Sequence, residues 1–307
     1  MTKLALFSEP FAPSGNIAAE GFKKLLGRPA IGLLPMVIRE AVQNSMDASL
    51  EGMGPEILLR TRVLSETEYS TLLSKVFQDR PNDPETANIL RTNLDDGPVR
   101  VFEICDFHTT GLAGPTRADA PTDGPEDLDF VNFMRNVGAA RDTHQGGGTY
   151  GYGKTSLYAL SACSTIVVDS QTTYGGSPVR RVMACHLGAA FNGDTEKGKR
   201  RFTGRHWWGV QDGAQGVDPV EGPEADELAA DLGLPQRNSF RTGTTIMILA
   251  PHFGESTDVA GDLLESVLWN FWPRMTQDTA PDRKLTVNLT VDGETVHVPP
   301  PGGIPTT

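Results

Sequence analysis

Two groups of residues have types and spacings suited to chemistry. The first is Gly146-Gly147-Gly148-Thr149-Tyr150-Gly151-Tyr152-Gly153-Lys154-Thr155, with five glycines in the eight residues 146–153. Bare backbone of this kind can turn its N–H groups toward phosphates, while a following Lys and Thr supply a cation and a magnesium-binding hydroxyl. Residues 148–155 satisfy the P-loop pattern G-x-x-x-x-G-K-T. A P-loop leaves a buried strand, however, and Arg141-Asp142-Thr143-His144-Gln145 are polar and turn-like. The acidic strand that would complete the site is also crowded, since Thr165-Ile166-Val167-Val168-Asp169 follows Lys154 by barely one helix. A surface glycine turn is the plainer alternative, but it does not explain why a helix follows directly. Phosphate contact is therefore expected, by machinery that this loop alone leaves open.

The second group is Glu40, Asn44 and Asp47, spaced i, i+4 and i+7 on a helix expected over 34–50. That spacing places the three side chains on one face. A Glu and an Asn one turn apart suit a water and a magnesium ion, the Glu taking the water's proton and the Asn ligating the metal. A polar stripe on an amphipathic helix would explain these residues equally well in isolation. The order E-x-x-x-N-x-x-D-A is more specific than a stripe.

The run Glu40-Ala41-Val42-Gln43-Asn44-Ser45-Met46-Asp47-Ala48 resembles the N-box of the GHKL ATPases, the superfamily of DNA gyrase B, the heat-shock ninety chaperones, histidine kinases and MutL. Three further boxes follow in that family's order. Ile104-Cys105-Asp106-Phe107-His108-Thr109-Thr110-Gly111-Leu112 resembles the second, where an Asp at a strand end receives the adenine amino group. Tyr150-Gly151-Tyr152-Gly153-Lys154-Thr155-Ser156 is similar to the phosphate lid, with Gly148 just before it. Gly243-Thr244-Thr245-Ile246 resembles the late Gly-Thr box. There are two departures. The second box usually reads D-x-G-x-G, whereas Gly comes here only at 111, and the lid carries Lys154 where many members are apolar.

The resemblance implies a Bergerat α/β sandwich, a mixed and mostly antiparallel sheet with helices on one face and ATP between helices and lid. It implies Mg2+ and slow hydrolysis, with Glu40 as general base, Asn44 as magnesium ligand and Asp106 as adenine selector. Asp47, Ala48, Gly111 and Leu112 would line the nucleotide, Gly151, Gly153 and Lys154 would meet phosphates, and Thr245 or Thr244 would support adenine. The intact Glu40 favours ATP-operated clamps that form homodimers. The D-x-x-T-T-G-L box looks most like MutL/MORC-like ATPases of restriction and phage defence, which implies partners in such a system. Two alternatives remain open: a nucleotide-sensing module without turnover that presents an acidic segment to a partner, and a P-loop NTPase using residues 148–155.

The elements that must position these residues are legible in outline. Strands are expected over 56–64, 99–105, 165–169, 179–187, 201–210 and 244–249, with a hairpin of 284–289 and 295–298 across Asp292-Gly293. Helices are expected over 18–26, 66–76, 126–137, 155–162, 225–232 and 259–271. An ATP-binding domain over 1–255 would carry an acidic surface insertion at about 211–240, whose stretch 211–234 holds seven acids and no base. Residues 256–307 would open a transducer-like second domain, and Val298–Thr307 read as a linker within a longer chain.

Composition limits the partners. The 307 residues carry a net charge of −12, which argues against general affinity for nucleic acid. The one basic-aromatic patch is Lys197, Lys199, Arg200, Arg201 and Arg205 with Phe202, Trp207 and Trp208, better read as a solvated hairpin than as a nucleic-acid contact. Trp269, Phe271 and Trp272 read as core or an inter-domain contact. Three unpaired cysteines and the lack of an apolar run near ~20 residues point to a reducing, cytoplasmic setting without a membrane span. The six histidines are scattered and show no zinc-ligand spacing.

Overall fold

Apolar residues occupy both sides of the central strands. Ile166 and Val168 alternate with Val167, Met183 and Cys185 with Val182 and Ala184, and Ile246 and Ile248 with Met247 and Leu249. A strand buried on both faces needs cover on both. The computed structural model describes residues 3–16, 18–19, 21, 32–120, 128–136, 152–196, 198–211, 213 and 216–300. Its strands are β1 (Ala5–Pro10), β2 (Glu56–Val63), β3 (Arg100–Phe107), β4 (Thr165–Tyr174), β5 (Ser177–Leu187), β6 (Phe191–Thr195), β7 (Gly198–Gln211), β8 (Val217–Asp218), β9 (Val220–Glu221), β10 (Gly243–Leu249), β11 (Thr286–Val291) and β12 (Glu294–Val296). They form one sheet in the order β1-β7-β5-β4-β10-β3-β2-β11-β12, with β6 and β8 also on β7 and β9 on β5. Among the described residues every pairing is antiparallel except that of β11 with β2.

The helices are α1 (Leu33–Asp47), α2 (Glu66–Thr71, continued by a π turn at Leu72–Val76), α3 (Pro84–Leu94), α4 (Tyr152–Leu160), α5 (Pro223–Asp231) and α6 (Val259–Phe271). On one face, Val37, Ile38 and Val42 of α1 meet Leu157 and Leu160 of α4 and Leu263 and Val267 of α6 over Ile104, Ile166 and Ile248. On the other, Leu72 and Val76, Leu90 and Leu94 of α3, and Leu228 and Ala229 of α5 cover Val167 and Met247. The α/β class with a mixed, mostly antiparallel sheet is as the sequence implies. The second helical layer corrects the expectation of helices on one face only. It includes α3, which the sequence reading lacks although Asp83 caps it by accepting from the Thr86 N–H and Pro84 opens it.

Two expected boundaries dissolve into this body. Helix α6 shares the core of α1, and β11 pairs with β2 from Thr286 opposite Glu56 to Val291 opposite Thr61. Residues 259–296 therefore complete the sheet rather than open a second domain. The acidic segment is likewise not a surface insertion. Helix α5 buries Ala225, Leu228 and Ala229, while Asp218, Glu221, Asp226 and Asp231 pair with Arg135, Arg181, Arg180 and Lys75. The helix expected over 18–26 and the linker end at 301–307 lie largely or wholly outside the described residues.

The basic patch splits in the same way. Lys199, Arg200 and Arg201 are exposed on the β6–β7 hairpin, and Lys197 lies outside the described residues. Arg205 is bound to Glu9, and both indoles are buried, Trp207 donating to Met134 O at 2.9 Å and Trp208 to Asp79 O at 2.8 Å. At the end of α6 only Phe271 enters the core; Trp269 is 82% exposed and Trp272 50%. Among the described residues, no helix is long and apolar enough to cross a membrane.

Candidate functional site

Helix α1 buries Leu34, Val37, Ile38, Ala41, Val42 and Ser45, a helical stripe that leaves Asn44 and Asp47 exposed and Glu40 partly so. Beyond its end, the chain is stitched to the loop that follows β3. Thr110 N donates to Ala48 O at 2.8 Å, and Leu50 N donates to His108 O at 2.9 Å. The N-box helix and the second box thus share one hydrogen-bonded corner.

Asp106 stands in that corner on the α1 face of β3. Its Oδ2 accepts from Ser45 Oγ at 2.9 Å, and its Oδ1 accepts from Thr109 Oγ1 at 2.5 Å and from Thr244 N at 2.8 Å. A carboxylate offers about four acceptor positions, so three protein donors leave one, on Oδ2. The start of β10 comes this close because residue 243 is Gly. A Cβ there would lie 2.3 Å from Asp106 O and 2.6 Å from Asp106 Oδ1, at a φ of 143°.

The two threonines of the late box point to opposite faces, as successive strand residues must. Thr244 Oγ1 meets Ser170 Oγ of β4 at 3.0 Å on the Asp106 side. Thr245 is fully buried on the far side, where its Oγ1 accepts from Arg237 Nη2 at 2.8 Å. The two expected adenine supports therefore face opposite sides of the sheet, Thr244 toward Asp106 and Thr245 toward Arg237.

The loop 109–114 follows a path of its own. Gly111 has φ 66°, and a Cβ on it would lie 2.4 Å from Gln171 O, so only Gly lets the loop rest on β4. Leu112 is buried, donates its N–H to Ser170 Oγ at 2.8 Å and gives its carbonyl to Arg181 Nη1 at 3.0 Å.

At the other end of α1, Gly153 near the start of α4 lies against Glu40. A Cβ on Gly153 would sit 2.9 Å from Glu40 Cβ and 3.0 Å from its Oε2. Glu40 Oε1 accepts from Arg39 Nη2 at 2.8 Å. Tyr152 opens α4, whereas Gly148, Tyr150 and Gly151 lie outside the described residues. Lys154 donates to Asn132 O and stands 5.9 Å from the Phe133 ring, so its ammonium is engaged by the turn at Val131–Arg135. Thr155 and Ser156 are buried, and Ser156 Oγ donates to Gly153 O at 2.5 Å. The expected ligand roles of Lys154, Thr155 and Ser156 thus find their side chains committed to the protein interior or to neighbouring turns.

The chain matches no family model and no curated protein. Its site has to be judged on its own chemistry. An adenine amino group needs an oriented acceptor, and Asp106 keeps one acceptor position. Asn44, the residue before Ser45 on α1, is exposed, and its side chain makes no hydrogen bond among the described residues. Magnesium accepts a carboxamide oxygen alongside waters and phosphates, so Asn44 fits a ligand role. Among the described residues no group of three or more His, Cys, Asp or Glu gathers, so a metal would rely on Asn44, water and the nucleotide itself.

A P-loop setting is a poorer fit. Its helix follows a strand of a parallel sheet, whereas β3, the last described strand before α4, runs antiparallel to both β2 and β10. The sequence reading missed Ser45, Ser170, Arg181 and Arg237. Ser45 carried a signal, since it sits between Asn44 and Asp47 on the N-box helix and turns inward. The others lie on strands or loops distant in sequence, and only pairing brings them to the site.

Burial sets the state of the nearby side chains. Burial lowers the Arg237 guanidinium from its usual range, an effect opposed by the Asp169 and Asp106 carboxylates. The Cys105 thiol, beside Thr245 in the sheet, is pushed up to about 12 by burial and is inert as a nucleophile.

Proposed function

We propose that this chain binds ATP with Mg2+ at the corner of α1, β3 and β10 and hydrolyses it slowly, in the manner of a GHKL ATPase. One observation carries the reading. The only α1-facing carboxylate at the end of β3, Asp106, is aimed by Ser45, Thr109 and Thr244 while the helix that supplies Ser45 also carries Glu40 and Asn44. Asp106 accepts the adenine amino group on its remaining Oδ2 position. A guanine presents a carbonyl there and is rejected, because two acceptors would face each other.

Asn44 would hold the metal through its carboxamide oxygen. Bound magnesium supplies neutralisation of the phosphate charge. Glu40 takes the proton of the attacking water, and Arg39 fixes its carboxylate by the 2.8 Å contact. Gly153 permits the start of α4 to lie against Glu40, where a Cβ would sit 2.9 Å from Glu40 Cβ.

The ATP-dependent homodimer, the MutL/MORC-like setting, partners in phage defence and a cytoplasmic location are parts of this proposal that rest on the four sequence boxes. The reading of a partner-presenting acidic segment is weakened, because four of the seven acids in 211–234 are already paired with Arg or Lys of the same body. The test is ATP hydrolysis with and without Mg2+, beside calorimetric ATP binding, for the wild type and Glu40→Ala. Binding by both proteins with turnover only in the first supports the reading. Equal turnover by both overturns it.

A further inference from the structure

Arg237 is the most unusual side chain near the site that the proposed chemistry does not use. It lies in the segment between α5 and β10, its side chain fully buried, and it belongs to none of the four boxes. A guanidinium is kept out of water only where its donors find acceptors. Here Nη1 donates to Asp106 O at 2.8 Å and Nη2 to Thr245 Oγ1 at 2.8 Å. Nε faces Asp169 Oδ2 at 3.5 Å without a hydrogen bond, and the plane stands 4.7 Å from the Phe107 ring. Arg237 thus grips the residue that carries the proposed adenine acceptor, the residue after it and the strand opposite.

We infer that Arg237 is the positioning residue for Asp106, holding the carboxylate at the angle that recognises a 6-amino purine. The inference rests on the nucleotide reading above. Three features support it. The Nη1 bond ties the Asp106 backbone to the start of β10, where Thr244 N holds Oδ1. The same Nη1 would lie 2.8 Å from a Cβ on Gly243, so the glycine that admits Asp106 also admits Arg237. The cation lies on the far face of the sheet, beside Thr245, Phe107 and Asp169, where it does not compete for the Oδ2 position.

The device reaches further across that face. Asp169 accepts from Arg180 Nε at 2.7 Å and Nη2 at 2.9 Å, and Arg180 Nη1 donates to Asp226 of α5 at 3.2 Å. Helix α5 and the nucleobase corner are therefore joined by alternating charges, with Asp169 shared between the two arginines.

The experiment measures the preference for the amino group itself. ATP and purine riboside triphosphate, which lacks the 6-amino group, are titrated into the wild type, Arg237→Gln, Arg237→Lys and Thr245→Val. The wild type should prefer ATP about tenfold, the worth of one well-made buried hydrogen bond. In both Arg237 variants the preference should fall to roughly twofold or less, because Lys cannot span Asp106 O and Thr245 Oγ1 as a fork does. Thr245→Val removes one anchor of the guanidinium and leaves every site-face residue in place; its preference should fall by about threefold. It carries the test if the Arg237 variants fail to fold. A purely structural role would lower the melting temperature and weaken both ligands alike. Wild-type preference retained in Thr245→Val and in whichever Arg237 variants fold overturns the inference. A wild type with no preference for ATP overturns the adenine reading of Asp106 instead.

Discussion

Replacing Asp106 by Asn exchanges one acceptor oxygen for an NH2 donor in a group that now takes three hydrogen bonds. The amide has two orientations, and the structure selects between them. With nitrogen at the Oδ1 position, it would face Thr244 N–H at 2.8 Å, donor against donor, with no freedom in the backbone to turn away. With nitrogen at Oδ2 it faces Ser45 Oγ, whose proton has a ready alternative in Ala41 O at 3.1 Å. The second orientation should be adopted, and the fold should lose only about 1–2 kcal/mol, the difference between charged and neutral acceptors. The ligand has no such alternative. The position that accepted the adenine amino group now presents a donor, which removes a bond worth about 1.5–3 kcal/mol, or roughly 10- to 150-fold in affinity. Titration calorimetry with ATP and a denaturant series on the same protein separate the two effects. ATP binding by Asp106→Asn within about threefold of wild type would refute the argument, because one misdirected donor cannot cost so little.

Four other outcomes follow from the same geometry. Glu40→Ala should lower turnover about 10²-fold or more while ATP affinity holds or tightens, read by steady-state hydrolysis beside binding. Gly153→Ala should lower turnover with little change in affinity, since its Cβ would sit 2.9 Å from Glu40 Cβ and displace the base; unchanged turnover would mean that Glu40 has no set position to lose. Asn44 is exposed, so Asn44→Ala should leave stability within about 0.5 kcal/mol and abolish the magnesium dependence of ATP binding. Burial lowers His206 from 6.5 to about 4, against an opposing pull from Asp83. The unfolded chain therefore takes up this proton first as the pH falls, and the contribution, roughly 3 kcal/mol at most, is present above pH 6.5 and is lost toward pH 4. Denaturation of His206→Gln at a series of pH values should lack that component; an identical pH profile would show that His206 is not the group responsible.

What the sequence determined by itself was local. The α1 stripe, with apolar residues on one side and Glu40, Asn44 and Asp47 on the other, follows from helical period alone, and α6 was expected over its observed residues 259–271. The strands were legible as β-rich runs, although β4 extends to Tyr174, paired with β5 down to Tyr174 opposite Ser177, and its Ser170 and Thr172 side chains reach Leu112 N and Thr110 O. No local rule could supply those partners.

Tertiary structure decided the rest. Thr244 and Thr245 are equivalent in sequence, and strand register alone sends one to Asp106 and the other to Arg237. The acidic segment read as a solvated insertion because seven acids repel one another along the chain, but Arg180 and Arg181 of β5 receive two of them across the sheet. Residues from 256 onward read as a new domain because parallel pairing of β11 with β2 joins positions more than two hundred residues apart, and periodicity does not report such pairing. Asp106 was identified from its box, but its three donors come from α1, from the loop beside it and from β10, and only folding brings those to one carboxylate.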